Sequence, residues 1–149
     1  MRNKYRKYIF TIIFFKNSEN IKTKFLIFHR KKNWKGWEFL KGGLMEGENE
    51  MNALKREVRE ETGHRKFKII AKTKHFIKYM WSKGYRKDHH IFHGANGRVF
   101  VVQLFNKKIK IDKEEHDNFK WVDARQVFKY LTYINLKHAF KYVLKNYKL

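Results

Sequence analysis

Apolar and aromatic residues in the first part of the chain gather in short runs that polar segments separate. Residues 5–15 and 24–29 are rich in β-branched and aromatic side chains, and the stretch between them is polar, so these runs predict paired strands. Residues 31–36 predict a loop, and residues 37–40 predict a short strand that leads into a glycine-rich turn. The chain therefore begins with one edge of a sheet.

The second half predicts further strands and two helices. Residues 67–72, 74–81, 98–105 and 119–122 are strand candidates, whereas residues 82–97 are polar and predict a long loop or hairpin arm. Asp123 is placed to cap a helix that runs to about residue 131, and Asn135 to cap a final helix that runs to about residue 147. No repeat or Pro/Ser-rich linker divides the sequence, so we expect one domain over residues 1–149 of class α/β or α+β.

Residues 48–62 contain no Gly or Pro and are rich in helix formers, so they predict a helix that ends at Gly63. At about 100° per residue, Glu57, Glu60 and Glu61 fall within an arc of roughly 100°, beside an apolar stripe. Like charges this close repel by about 0.2–0.5 kcal/mol per pair, and by more where a core reduces screening. A bound cation such as Mg²⁺, which suits carboxylates that also meet phosphates, is one way to neutralise the cluster. The alternative is a solvated acidic face.

The glycine-rich turn and this helix together resemble the Nudix box, G-x5-E-x7-R-E-U-x-E-E-x-G-U, where U is a bulky apolar residue. The matching positions, all in one register, are Gly42, Glu48, Arg56, Glu57, Val58, Glu60, Glu61 and Gly63. His64 departs from the box, because an apolar residue is usual there. The resemblance implies a Nudix hydrolase, an enzyme that cleaves a nucleoside diphosphate linked to another group.

The resemblance also implies a fold and a metal site. The expected fold is the Nudix α/β/α sandwich, a mixed sheet between helices with the box as a loop–helix–loop. The expected cofactor is Mg²⁺, with Mn²⁺ as the alternative, and its expected ligands are the carboxylates of Glu57, Glu60 and Glu61 and the carbonyl of Gly42. Arg56 is expected to pair with Glu48 and hold the helix and loop in register.

Two shorter segments narrow the resemblance to the bis(5′-nucleosyl)-tetraphosphatase group. Residues 37–42 read W-E-F-L-K-G where Nudix hydrolases acting on dinucleoside polyphosphates or RNA 5′ ends commonly read W-x-F-P-K-G. Leu40 thus replaces a proline, and the turn must be held by packing instead. Glu115-His116-x4-Trp121 is similar to the C-terminal half of that group, in which a glutamate at the Glu115 position serves as general base or extra metal ligand. The alternative is an exposed acid in an acidic turn.

Three residues outside the box are the expected substrate contacts. Lys41 lies beside the phosphate-binding turn and is assigned a phosphate, with an ordinary surface lysine as the alternative. Tyr79 or Trp81 is assigned to stack on a purine ring, with plain core packing as the alternative. The group Asp88, His89, His90 and His93 could suggest a second metal cluster, although adjacent loop histidines are more often solvated surface.

The chain is strongly basic, with 36 Lys and Arg against 14 Asp and Glu and a net charge of +22. Such a field favours polyanions, so nucleotides and RNA both qualify as partners; compositional drift is the alternative. The longest apolar run, residues 8–15, is far shorter than the roughly 20 residues that span a bilayer, and we expect no membrane partner. With no cysteine, the expected location is the cytoplasm, as a monomer or homodimer.

These observations leave several activities open. The favoured one is asymmetric hydrolysis of dinucleoside polyphosphates such as diadenosine tetraphosphate. The others are an RNA 5′-end pyrophosphohydrolase and a hydrolase of another substrate, such as ADP-ribose or an oxidised dNTP. A non-catalytic RNA-binding protein on a Nudix scaffold is remote, because the carboxylate set is intact.

Overall fold

The computed structural model describes residues 4–17, 20–88 and 91–149. Within these ranges the strands are β1 (Tyr5–Asn17), β2 (Asn20–Arg30), β3 (Gly36–Glu38), β4 (Leu40–Gly43), β5 (Phe67–Met80), β6 (Gly94–Leu104) and β7 (His116–Val122). The helices are α1 (Glu50–Thr62), α2 (Lys83–Asp88), α3 (Ala124–Tyr130) and α4 (Ile134–Asn146).

The strands form one mixed sheet around β1. Its order is β3-β2-β1-β6-β5, with β4 also paired to β1 and β7 also paired to β2. The β1–β6 pair is parallel, and the other pairs are antiparallel. The predicted mixed sheet is therefore confirmed.

Helices cover both faces of this sheet because β1 alternates its side chains between them. Ile9 and Ile13 face one side, where they share a core with Leu54 and Val58 of α1. The next residues in the alternation face α3 and α4, in a core that includes Phe10, Ile12, Phe14, Val127, Phe140 and Val143. The predicted α/β/α sandwich is confirmed, and α1 packs on the face opposite α3 and α4.

Three predicted element boundaries were wrong. Helix α1 begins at Glu50 and not at residue 48, because Asn49 is the N-cap and accepts the Asn52 amide at 2.8 Å. The two strands predicted over residues 67–81 are one strand, β5, whose pairing with β6 shifts register twice. The strand predicted over residues 98–105 begins earlier, at Gly94, which pairs with Met80; the segment predicted as a long loop or hairpin arm thus contains α2 and ends as a hairpin arm.

The prediction that Asn135 caps the final helix was also wrong. The N-cap is Tyr133, which makes no side-chain capping bond, so Asn135 lies within the first turn. Tertiary contacts fix this start: Thr132 accepts the Trp37 amide at 3.0 Å and donates its own amide to the Trp37 carbonyl at 3.3 Å. The Asp123 cap is confirmed, as a capping box with Gln126.

Among the described residues, none of the helices combines the length and the apolar character that a membrane span requires. The glycine-rich turn predicted after Leu40 was wrong, because Leu40–Gly43 form β4 and pair with β1; Leu40 itself is fully buried against the α1 core, so packing holds the position where proline is usual.

Candidate active site

Polar contacts hold the end of α1 in place. They take over the role of the apolar residue that usually follows the box. Gly63 closes the helix in a left-handed conformation, with φ 82°, so its predicted role is confirmed. His64 donates its amide to Thr62 Oγ1 at 3.1 Å, and its ring contacts the Lys108 carbonyl. Lys110 donates its amide to the Thr62 carbonyl at 3.0 Å. A polar network thus packs the helix exit where the box usually has a hydrophobic contact.

The predicted pair of Arg56 and Glu48 is present and joins the helix to the loop before it. The Arg56 guanidinium donates two hydrogen bonds to Glu48, at 2.9 and 2.8 Å, and a third to the Gly43 carbonyl at 3.0 Å. Hydrogen bonds from Arg56 and from the Met45 amide lower the pKa of Glu48 to about 2. Such a planar two-point contact fixes the loop geometry at the start of the site.

The three carboxylates on α1 lie in different environments. Glu57 and Glu61 are buried, whereas the side chain of Glu60 is 46% exposed and 3.5 Å from Arg56. Glu57 lies against the backbone of Gly42, and a Cβ at position 42 would overlap its carboxylate. Arg56 also donates to Glu57 at 2.6 Å. Only glycine leaves room for the Glu57 carboxylate at this position in β4.

Burial perturbs the two inner carboxylates. Desolvation raises the pKa of Glu57 to about 7, against the opposing effect of Arg56, with help from the charges of Glu115 and Glu60. Burial also raises the pKa of Glu61 to about 7, where His116 opposes the shift and Glu115 adds to it. Because the Glu115 charge acts on both groups, Glu57, Glu61 and Glu115 lie close together, and we call this part of the site the carboxylate region.

A buried network of ionisable side chains crosses the sheet behind this region. His116 donates from Nδ1 to Glu61 at 3.0 Å and from Nε2 to Glu38 at 2.8 Å, and both carboxylates are buried with it. Glu38 also contacts Arg30 at 3.2 Å and Lys41 at 3.3 Å. This network therefore links α1 to Lys41, at the base of the aromatic pocket described below.

Opposite charges in this network favour the ionised forms of Glu38 and His116. Burial alone would raise the pKa of Glu38, but the Lys41 charge, the His116 hydrogen bond and Arg30 lower it to about 2. Burial alone would lower the pKa of His116, but its bonds to Glu38 and Glu61 raise it to about 9. His116 is therefore a cation at neutral pH that orients Glu61.

The carboxylate region fits a divalent cation. The ligand atoms of Glu61, Glu115 and His116 lie within 4.8 Å of one another, but both ring nitrogens of His116 already bind carboxylates. The donors left for a metal are carboxylate oxygens, which Mg²⁺ and Mn²⁺ prefer. Two buried acids with raised pKa values are also the groups that a cation would stabilise in the ionised form.

An aromatic pocket of about 390 Å³ is linked to this region through Glu38, which lines the pocket and contacts His116. Lys41 lies in its wall, 3.3 Å from the Tyr79 hydroxyl and over the Trp34 ring at 5.5 Å. Trp34 contacts Tyr133 edge to face at 4.8 Å. Lys41 and Tyr79 are thus brought together next to the box, whereas Trp81 is nearly buried and forms an inner wall with Tyr85.

Sequence reasoning missed several of these residues. It assigned no role to Glu38, although an acid inside an aromatic strand is a signal for a buried partner, nor to His116 beyond its place in a motif. It also missed Asn135 as a pocket residue: its Oδ1 is buried without a hydrogen-bond partner among the described residues. His89 and His90 of the suggested second metal cluster lie outside the described residues.

The fold and the carboxylate-bearing loop–helix–loop define a hydrolase of phosphoanhydrides in the Nudix class. Residues 6–143 match the NUDIX domain family, and the chain belongs to that family as a Nudix hydrolase. It is 30% identical over 150 residues to an RNA pyrophosphohydrolase from a Nitratiruptor species, covering 99% of this chain and 96% of that protein.

Solved structures share the fold. An Ap4A hydrolase from C. elegans, solved as a binary complex, superposes with a TM-score of 0.72 at 22% identity, covering 95% of this chain and 99% of that one. A dihydroneopterin triphosphate pyrophosphohydrolase from E. coli gives 0.76 at 19% identity, covering 97% and 100%. At these identities the likeness concerns the fold alone.

Proposed function

We propose that this enzyme removes pyrophosphate from the 5′ end of triphosphorylated RNA. The observation that carries the proposal is the junction, through Glu38 and His116, between Glu61 of the carboxylate region and a pocket lined by aromatic rings and by Lys41. Such a junction suits a substrate with a phosphate chain at one end and a base at the other. The near full-length similarity of this protein to an RNA pyrophosphohydrolase favours RNA over the other substrates of this class.

In this proposal, Glu57, Glu60 and Glu61, with the Gly42 carbonyl, would hold a divalent cation, which would neutralise charge on the phosphates. Lys41 binds a phosphate oxygen, for which its contacts with Glu38 and Tyr79 hold the ammonium in place. Glu115 accepts the proton of the attacking water. The products are pyrophosphate and RNA with a 5′ monophosphate.

The first base of the RNA occupies the aromatic pocket. Trp34, Tyr79 and Tyr133 offer ring faces and edges, and each stacked base contributes about 1–3 kcal/mol. The unpartnered Oδ1 of Asn135 accepts from an exocyclic amino group or ring N–H of the base. Trp81 supports this wall from behind.

Asymmetric hydrolysis of diadenosine tetraphosphate is the second candidate. It is favoured by the Glu115-His116 segment, because Glu115 lies at the carboxylate region as that group's general base would. The same pocket then holds one adenine, and the same groups act on the phosphates.

A substrate panel with Mg²⁺ tests the proposal: 5′-triphosphate RNA, diadenosine tetraphosphate, ADP-ribose and an oxidised dNTP, each at roughly 50 and 200 mM salt. We expect RNA to have the highest kcat/KM at both concentrations, with release of pyrophosphate. Attraction of RNA to a +22 surface alone fades steeply across this interval. A reversal in favour of diadenosine tetraphosphate at the high-salt end contradicts the proposal and selects the second candidate.

A further inference from the structure

A second groove lies on the outer face of α1, away from the aromatic pocket. Asn52, Arg56 and Arg59 of the helix line it, because residues three and four apart share one helix face. The chain that leaves the helix forms the opposite wall through Arg65 and Lys66. The groove has a volume of about 610 Å³.

All the charged side chains that line this groove are cations. Lys55, Arg59, Arg65 and Lys66 are exposed, and none of them forms an ion pair with another described residue. No described carboxylate lines the groove to offset their mutual repulsion. An external polyanion would offset it.

The groove also presents an aromatic ring to solvent. Phe105 is 61% exposed, and it follows Leu104, which pairs with Phe67 at the start of β5. Proteins that bind single-stranded nucleic acid combine exposed aromatic rings with unpaired cations. The cations bind the phosphates, and the ring stacks on a base. A duplex keeps its bases stacked within itself and gains nothing from Phe105.

Arg56 connects this groove to the active site. Its side chain lines the groove and also contacts Glu48, Glu57 and Glu60 of the box. The groove therefore begins beside the box carboxylates.

We propose that this groove, defined by Lys55, Arg59, Arg65, Lys66 and Phe105, binds the single-stranded body of an RNA whose 5′ end is in the active site. The inference rests on the proposed function, since it extends the same substrate beyond the reacting phosphates. It assigns a specific surface to part of the +22 charge.

Binding of an RNA of about 12 nucleotides with a 5′-hydroxyl end tests the groove without any hydrolysis. The groove variant carries Lys55→Ala, Arg59→Ala, Arg65→Ala and Lys66→Ala. The control has the same net charge and carries four exposed lysines changed to alanine outside both pockets: Lys129, Lys141, Lys145 and Lys148. Fluorescence anisotropy across roughly 50–200 mM salt gives affinity and salt slope for each protein.

We expect the groove variant to bind this RNA at least about tenfold more weakly than the control at the low-salt end. Its plot of log affinity against log salt should be shallower by roughly 2 to 3, because each lost contact to single-stranded phosphate removes about 0.7. Equal affinity and slope in the two variants would overturn the assignment, as would the absence of RNA binding by the wild type.

A single substitution provides an independent readout. Phe105→Ala should weaken binding by roughly fivefold or more while leaving the salt slope unchanged, because stacking releases no counterions. A duplex of the same length should bind more weakly than the single strand. If the duplex binds equally well and Phe105→Ala has no effect, the single-strand assignment is wrong.

The two proposals fail in different ways. If the groove variant loses binding to 5′-hydroxyl RNA but the wild type releases no pyrophosphate from triphosphate RNA, the groove stands and the proposed activity fails. If the wild type does release pyrophosphate but kcat/KM for long RNA relative to a triphosphate dinucleotide is the same in groove variant and control, the groove assignment fails alone.

Discussion

Glu57→Gln should stabilise the metal-free protein at alkaline pH, although it removes a residue assigned to the metal. Burial raises the pKa of Glu57 from 4.5 to about 7. Between these values the folded state binds more protons than the unfolded chain, so stability falls as pH rises. The penalty is absent below about pH 4.5 and complete above about pH 7. Glutamine keeps the shape of the protonated acid and never ionises.

The size of the effect follows from the shift. One pKa unit corresponds to about 1.36 kcal/mol, so a rise of the pKa from 4.5 to about 7 costs at most about 3.4 kcal/mol, and an imperfect fit of the amide reduces the gain to about 1–3 kcal/mol. For a domain of this length, each kcal/mol moves Tm by roughly 2–4 °C. The expected rise in Tm is therefore on the order of 5 °C at about pH 8 and close to zero at about pH 4.

Thermal unfolding in EDTA, followed by circular dichroism at both pH values, measures this change. Glu60→Gln is the matched control, because it also removes one box carboxylate but from a side chain that is 46% exposed. We expect a Tm within about 1 °C of the wild type for this control, as most exposed substitutions give. An equal rise for both variants, or no rise for Glu57→Gln at the higher pH, would refute the view that desolvation of Glu57 strains the metal-free site.

The remaining predictions concern the metal and the space around it. Glu60→Gln should keep its fold by circular dichroism yet lose most activity with Mg²⁺, and activity within about twofold of the wild type would contradict the ligand assignment. Millimolar Mg²⁺ should raise the Tm of the wild type by mass action, and an active protein with no shift would mean that the ion binds only with substrate. Gly42→Ala should lower both Tm and kcat, because its Cβ overlaps the Glu57 carboxylate; an unchanged Tm and kcat would show that Glu57 moves aside freely. Asn135→Asp should change the preference among triphosphate RNAs with different first bases, measured as ratios of kcat/KM, and identical ratios would remove Asn135 from base recognition.

The sequence predicted the parts of this fold whose signals are local. Helix formers followed by Gly63 define the end of α1, and β-branched runs define β1 and β2. The predicted starts of helices and strands were less accurate where tertiary contacts determine the start. The first turn of α4 is set by hydrogen bonds between Thr132 and Trp37, residues far apart in the chain, and no local pattern reports such a contact.

The same division applies to the site. Spacing along one helix was enough to predict that Glu57, Glu60 and Glu61 share an arc, because a helix has a fixed period. Only the tertiary structure decided that Glu57 and Glu61 are buried while Glu60 is exposed. Only the pairing of β7 with β2 and of β3 with β2 brings His116 between Glu38 and Glu61. Desolvation and charge pairing depend on what surrounds a group in space, so the pKa values of these residues come from the folded sheet and not from the order of the residues.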